Sequence, residues 1–291
     1  MKQRQILTAR GPVAALEWNE AGPGAPLLHF AHATGMNARL YARLLAPLAG
    51  RYRIIASDAR GHGRTAALRP GEMPGDKVVW DDFACDLLAI TDAVDPEAPW
   101  LLAGHSMGGT TSLLAAVARP DRVAGLVLLD PPFIPFALAR EARASGAAIL
   151  NPMADQAGRR RADFPDVATA RAAWHGRGVF RGWADADLDA YLADGLLPAG
   201  GGVTLACAPA WEAATFRGVT LGFEQALQSL GRPFALIAGE QGSTVPPAEF
   251  AIIAAHPRCV HAERLGGTSH FVPLQRPDAV AAAIDAVAAA G

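Results

Sequence analysis

Gly104-His105-Ser106-Met107-Gly108 sets a serine between two glycines at the exit of an apolar run, Trp100-Leu101-Leu102-Ala103. G-x-S-x-G between a strand and a helix is the pattern of a nucleophile elbow, in which the serine sits on a tight turn. The spacing has a steric reason. The turn forces its central residue into strained backbone angles, and a side chain at Gly104 or Gly108 would collide with the neighbouring strand and helix. A hydroxyl held this way stands over the end of a sheet, with a helix N-terminus beneath it to favour developing negative charge. Ser106 is therefore read as a nucleophile. Such a serine needs a general base, and the base needs an orienting acid.

Of the eight histidines, His270 has the best context for the base. It lies in Leu265-Gly266-Gly267-Thr268-Ser269-His270-Phe271-Val272-Pro273, after a predicted strand and before the last helix, on a Gly-rich loop that can return an imidazole to the elbow. His105 adjoins the serine, but its side chain should point away, so a structural role is expected. His256, between Ala255 and Pro257, reads as a capping or surface residue. His175 is left undecided. The oxyanion of an acyl transfer needs two backbone N–H donors. Met107, the residue after the serine, supplies one. The second is expected from Thr34 in the loop Ala31-His32-Ala33-Thr34-Gly35-Met36, with His32 bracing that loop.

These residues need a scaffold. Gln5–Thr8 and Val13–Trp18 read as a hairpin broken at Arg10-Gly11-Pro12. Pro26–Ala31, Tyr52–Ala56, Trp100–Ala103 and Val123–Leu129 are apolar strand candidates, separated by predicted helices over Met36–Leu48, Asp81–Val94 and Thr111–Ala118. Strand and helix alternate at the pace of βαβ units, which implies a parallel sheet covered on both faces. From Phe136 to about Val219 the strands vanish and an Ala- and Arg-rich, aromatic-bearing segment intervenes. Alternation returns with Pro233–Ala238, a helix near Pro247–Ala255, the strand Cys259–Leu265 and a final helix over Asp278–Ala290. Residues 1–135 and 220–291 are thus expected to form one core domain, and 136–219 a helical cap over the strand ends, where open α/β sheets bind ligands. Arg159-Arg160-Arg161 reads most simply as a solvated cap face, with carboxylate binding as the second reading. His32, Phe133 and Trp183 are the expected pocket residues.

The chain resembles α/β-hydrolase-fold enzymes of the esterase, lactonase and C–C hydrolase kind. His32-Ala33-Thr34-Gly35 is similar to the oxyanion-loop motif of that family, with Ala33 in place of a glycine. Asp58-Ala59-Arg60-Gly61-His62-Gly63 is similar to its structural D-x-R-G-x-G loop. Gly104–Gly109 and Gly267-Thr268-Ser269-His270 match its serine and histidine motifs. The resemblance implies an α/β-hydrolase fold, a mostly parallel eight-stranded sheet covered by helices, with the cap inserted after the sixth strand. One departure concerns the acid. The family usually carries it on the loop after the seventh strand, and counting from Gly239 reaches Gly242, which has no carboxylate. Asp130, closing the sixth strand before Pro131-Pro132, is the preferred substitute, as in some members of the family. Glu240 is the alternative, and the absence of a functional acid the third possibility.

Composition excludes other classes. At 51% hydrophobic and 19% charged, the 291 residues can bury a large core. A net charge of −2 gives no reason to expect nucleic acid or a membrane surface as partner. Cys85, Cys207 and Cys259 form neither a disulfide framework nor a CxxC site, and no HExxH or phosphate-binding loop is present. No secretory h-region is seen, so a cytoplasmic, cofactor-free and metal-free protein is expected, monomeric or homodimeric, with a small-molecule substrate. The function expected is hydrolysis of small, largely apolar carboxylic esters through an acyl-enzyme. The first alternative is a lactonase or C–C hydrolase using the same Ser106 and His270. The second is a ligand-binding protein of weak activity, motivated by Gly242. Epoxide hydrolases and haloalkane dehalogenases are disfavoured, because they carry an aspartate where this chain has Ser106.

Overall fold

Six strands precede the insertion: β1 (Lys2–Thr8), β2 (Gly11–Trp18), β3 (Leu27–Ala31), β4 (Arg53–Ser57), β5 (Trp100–His105) and β6 (Val123–Leu129). The computed structural model describes residues 1–291. Three short strands, β7 (Asp163–Phe164), β8 (Leu196–Ala199) and β9 (Gly202–Leu205), lie within the insertion; β10 (Phe234–Gln241) and β11 (Cys259–Ser269) follow it. The main sheet has eight strands in the order β1-β2-β4-β3-β5-β6-β10-β11. Only the β1–β2 and β2–β4 pairs are antiparallel; β4 to β11 run parallel through β3, β5, β6 and β10.

The central strands read as unbroken apolar runs because both of their faces are covered. Side chains alternate between the faces with the period of a strand. Leu101 and Ala103 of β5, Val127 and Leu129 of β6, and Ala235 and Ile237 of β10 enter one cluster with Val280, Ile284 and Val287 of the C-terminal helix Pro277–Ala290. Leu102, Leu126, Leu128, Leu236 and Ala238 enter the opposite cluster, with Leu87 and Ile90 of helix Trp80–Val94 and Leu113 and Ala116 of helix Met107–Ala118.

Between β6 and β10 the chain leaves the sheet through helices that include Phe136–Ser145, Pro152–Gly158, Val167–Trp174, Asp185–Gly195 and Pro209–Arg217. The expectation of a strand-free insertion is corrected here: β7, β9 and β8 form a three-stranded antiparallel sheet. Ala199 pairs with Gly202 across Gly200-Gly201, which have φ of 54° and 83°. Positive φ at both turn residues is what a two-residue hairpin loop demands, and Gly-Gly supplies it. Strands of two to four residues are too short to show a period in sequence.

Polar contacts tie the insertion to the core. Arg43 forks onto Asp187 at 3.0 and 2.8 Å, and Arg39 and Arg64 converge on the buried Asp194 at 2.6 and 2.5 Å. Asn37 Nδ2 donates to the Tyr191 carbonyl at 2.8 Å. Trp80 Nε1 donates to the Thr215 carbonyl at 2.9 Å.

Candidate active site

The chain holds two non-glycine residues at positive φ: Ser106 at 54° and Asp130 at 46°. Such conformations cost on the order of 1–3 kcal/mol each and persist only where the surroundings impose them. Around Ser106 the cause is close backbone approach. A Cβ on Gly104 would lie 2.3 Å from the Gly108 carbonyl oxygen, and one on Gly108 would lie 2.2 Å from that of Ala31. The serine N–H is held by the Leu129 carbonyl of the neighbouring strand at 2.8 Å. Helix Met107–Ala118 starts at the next residue, so its free first-turn amides and positive dipole end point toward the serine.

Asp130 follows β6, and His270 follows β11, two strands away. The Asp130 Oδ2 to His270 Nδ1 distance is 2.5 Å. The fully buried carboxylate also accepts from Gly239 N–H at 3.1 Å, Thr244 N–H at 3.0 Å and the Ser243 hydroxyl at 2.5 Å. Burial alone would raise this carboxyl; the hydrogen bond and charge of His270, with Ser243 and Thr244, outweigh it and hold the group below its ordinary value. The Gly242-Ser243-Thr244 turn therefore supplies donors to an acid that comes from β6. Gly239 permits the approach: a Cβ there would sit 2.3 Å from the Ser269 carbonyl oxygen. Glu240 is exposed and accepts from Gly267 N–H at 2.7 Å, away from His270.

Ser106, His270 and Thr34 line one cavity of about 560 Å³ between the sheet edge and the insertion. The Thr34 N–H donates to no backbone carbonyl. Its loop is fixed from behind. Ala59 N–H donates to His32 Nε2 at 2.9 Å, so the His32 proton is on Nδ1, which donates to the Ala33 carbonyl at 2.7 Å. Burial, with His62 nearby, lowers His32 to about 3, so the ring stays neutral.

A second chain of bonds joins this loop to the backbone of His270. Ala33 N–H donates to the Tyr41 hydroxyl at 3.2 Å, and that hydroxyl lies 2.7 Å from His105 Nδ1. His105 Nε2 lies 2.8 Å from the His270 carbonyl oxygen. A carbonyl only accepts, so Nε2 carries the proton and Nδ1 takes the tyrosine O–H. Burial and the neighbouring His270 lower His105 to about 3. In sequence nothing distinguishes Tyr41, since a tyrosine within a helical apolar pattern reads simply as core.

The expected pocket residues are corrected. None of His32, Phe133 and Trp183 lines the cavity. His32 faces the Asp58–Gly63 loop. Phe133 stacks on Phe223 at 4.6 Å and packs on Phe136. Trp183 is used against Phe180, Tyr191 and Phe271. The apolar wall is instead Met36, Trp80, Trp174, Phe180, Phe216 and Phe271. Three charged residues also line it: Arg160, Arg177 and Glu212. Of the other histidines, His175 pairs with Asp185 on the surface at 2.8 Å, and His256 accepts from Arg258 N–H at a helix end at 3.1 Å. No helix is long and apolar enough to cross a membrane.

The family model of the alpha/beta hydrolase fold matches residues 26–277, and the chain belongs to that family. It is 27% identical over 277 residues to the 2-(acetamidomethylene)succinate hydrolase of Mesorhizobium japonicum, covering 92% of this chain and 90% of that protein. It is 32% identical over 121 residues to human monoglyceride lipase, 39% of this chain and 37% of the lipase, so the match spans well under half of that relative. Among solved structures, an E-2-(acetamidomethylene)succinate hydrolase superposes with a TM-score of 0.76 at 24% identity, over 98% of this chain and 99% of that one.

Proposed function

We propose that the protein is a serine hydrolase cleaving small carboxylic esters of largely apolar body through an acyl-enzyme. The observation that carries this reading is the bond from Asp130 to His270, with His270 and the strained Ser106 on the same cavity. In this mechanism Ser106 attacks the carbonyl while His270 Nε2 takes its proton. Asp130 holds Nδ1–H and stabilises the imidazolium. The Met107 and Thr34 amides receive the oxyanion, each such donor being worth about 3–4 kcal/mol. His270 returns the proton to the leaving alcohol, then activates a water that releases the acid. The insertion acts as a cap, because its aromatic residues supply much of the cavity wall. The second reading, a lactone or C–C bond hydrolase, uses the same serine and histidine. A full-length relative named for an acetamidomethylene-substituted succinate keeps bonds other than simple esters in view. The ligand-binding alternative rests on Gly242 standing where the acid is expected; Asp130 within 2.5 Å of His270 Nδ1 supports the hydrolase reading over it.

A fluorophosphonate probe is expected to label the wild type and not Ser106→Ala. Labelling retained in that variant would overturn the nucleophile. A panel of aryl esters, lactones and vinylogous diketones, compared by kcat/KM, separates the first reading from the second.

A further inference from the structure

The cavity wall carries a built-in charge imbalance. Its one carboxylate, Glu212, is buried and bonded to Arg160 Nη1. That pair stands against the oxyanion loop: a Cβ on Gly35 would lie 2.6 Å from Glu212 Oε1 and 3.6 Å from Arg160 Nη1. Arg177 lines the same cavity and is exposed. It forms no ion pair or side-chain hydrogen bond with the rest of the protein. It sits between Gly176 and Gly178, both left-handed at φ of 67° and 52°, in the connection after helix Val167–Trp174. Arg160 and Glu212 cancel, so Arg177 leaves the lining with one uncompensated positive charge, the imidazole of His270 aside. A guanidinium fork beside a mostly apolar wall matches a carboxylate bidentately.

We infer that the substrate is an anionic ester, carrying a free carboxylate that Arg177 receives, with Arg160, held by Glu212, as a second cation lining the cavity. The inference deepens the serine-hydrolase reading and rests on it. Arg177 and Glu212 are then specificity-determining residues of opposite sign.

The test uses the full chain and isosteric pairs. Monomethyl esters of C4 to C8 dicarboxylic acids are compared with methyl esters of the matching isopropyl-ended fatty acids, which puts the charge on the acyl side. The 3- and 4-acetoxybenzoates are compared with the corresponding acetoxytoluenes, which puts it on the leaving group. Each compound is measured as a substrate and as a competitor of fluorophosphonate labelling of Ser106, so a poor substrate still gives an affinity. In at least one series the charged member should be favoured about tenfold or more in kcat/KM or in competition. Arg177→Gln should cut that ratio to about twofold or less. Glu212→Gln, which removes the opposing charge, should raise it severalfold. The wild-type ratio should also fall with added salt, since Arg177 is exposed. A ratio near one in both series, or one unchanged in Arg177→Gln, would overturn the inference while leaving the hydrolase reading intact. Failure of the wild type to label at all, seen before any competitor is added, would overturn the hydrolase reading and this inference with it.

Discussion

At the carboxyl edge of the sheet, position is imposed by backbone. Ser106 and Asp130 are held at positive φ, at the ends of adjacent strands, by close glycine contacts and ladder hydrogen bonds. Across the cavity the insertion is held by side chains. Trp174, Phe180, Trp183 and Tyr191 pack against one another, mostly tilted or edge to face, with ring centroids 5.0 to 6.1 Å apart. Asp187 and Asp194 fasten that cluster to core arginines. The first arrangement admits one geometry, because a backbone clash has no alternative rotamer. The second admits many volume-conserving solutions. The proposed chemistry would therefore be seated where the chain cannot drift, and the proposed substrate pocket where it can.

The comparison can be broken at its rigid side first. Ser106→Ala should lower kcat by about 10⁴–10⁶-fold, measured on an activated aryl ester. Ser106→Gly should do the same while raising the urea midpoint, because glycine accepts φ of 54° without strain. A lower midpoint in that variant would show the elbow to be unstrained. Asp130→Asn should lower kcat by about 10³–10⁴-fold, whereas Glu240→Gln should stay within about twofold; the reverse ranking would reassign the acid.

Tyr41→Phe tests whether the oxyanion loop and the base are held as one unit. It leaves the Ala33 N–H without its acceptor and His105 without its donor, a cost of about 1–3 kcal/mol in stability. A fall of about tenfold in kcat with KM little changed is expected. A purely structural tyrosine would lower the denaturation midpoint alone. On the adaptable side, Phe180→Ala should raise KM for bulky aryl esters by about five- to tenfold, with acetate esters changed less, since a cavity in the wall costs contacts rather than geometry.

The smallest effect concerns acid stability. The Asp130 carboxyl is held below its ordinary value of 3.8, so its stabilising contribution is present above that pH and is lost as pH falls through the lower folded value. Urea midpoints between pH 5 and pH 2.5 should therefore fall more steeply for the wild type than for Asp130→Asn.

Much of the rigid side was legible in the chain. Apolar runs of strand length followed by helical spacing marked β3, β5, β6 and β10, because a parallel sheet buried on both faces leaves no other pattern. The glycines at 104 and 108 announced the elbow, since no other residue survives contacts of 2.2 to 2.3 Å. The adaptable side was legible only in outline. The Gly200-Gly201 turn was in plain view, but two- to four-residue strands carry no period. Phe133 and Trp183 have the right composition for a pocket, yet face Phe223 and Phe271 instead. Nothing local in an aromatic residue says which neighbour it will meet.

The sequence by itself determined the alternating fold, the strained turn at Ser106 and the placement of His270 after the last strand, which runs through the expected Gly-rich loop to Ser269, because these follow from periodicity and steric exclusion within a few residues. Tertiary structure decided the rest. Asp130 rather than Glu240 reaches His270 because β10 lies between β6 and β11 and its following turn offers Ser243 and Thr244 to the carboxylate. Tyr41 joins Ala33 to His105, and Arg177 faces the cavity while Glu212 is matched by Arg160. Each of these is a meeting of residues far apart in the chain, set by how elements stack, and no local pattern encodes which of several carboxylates or arginines will arrive.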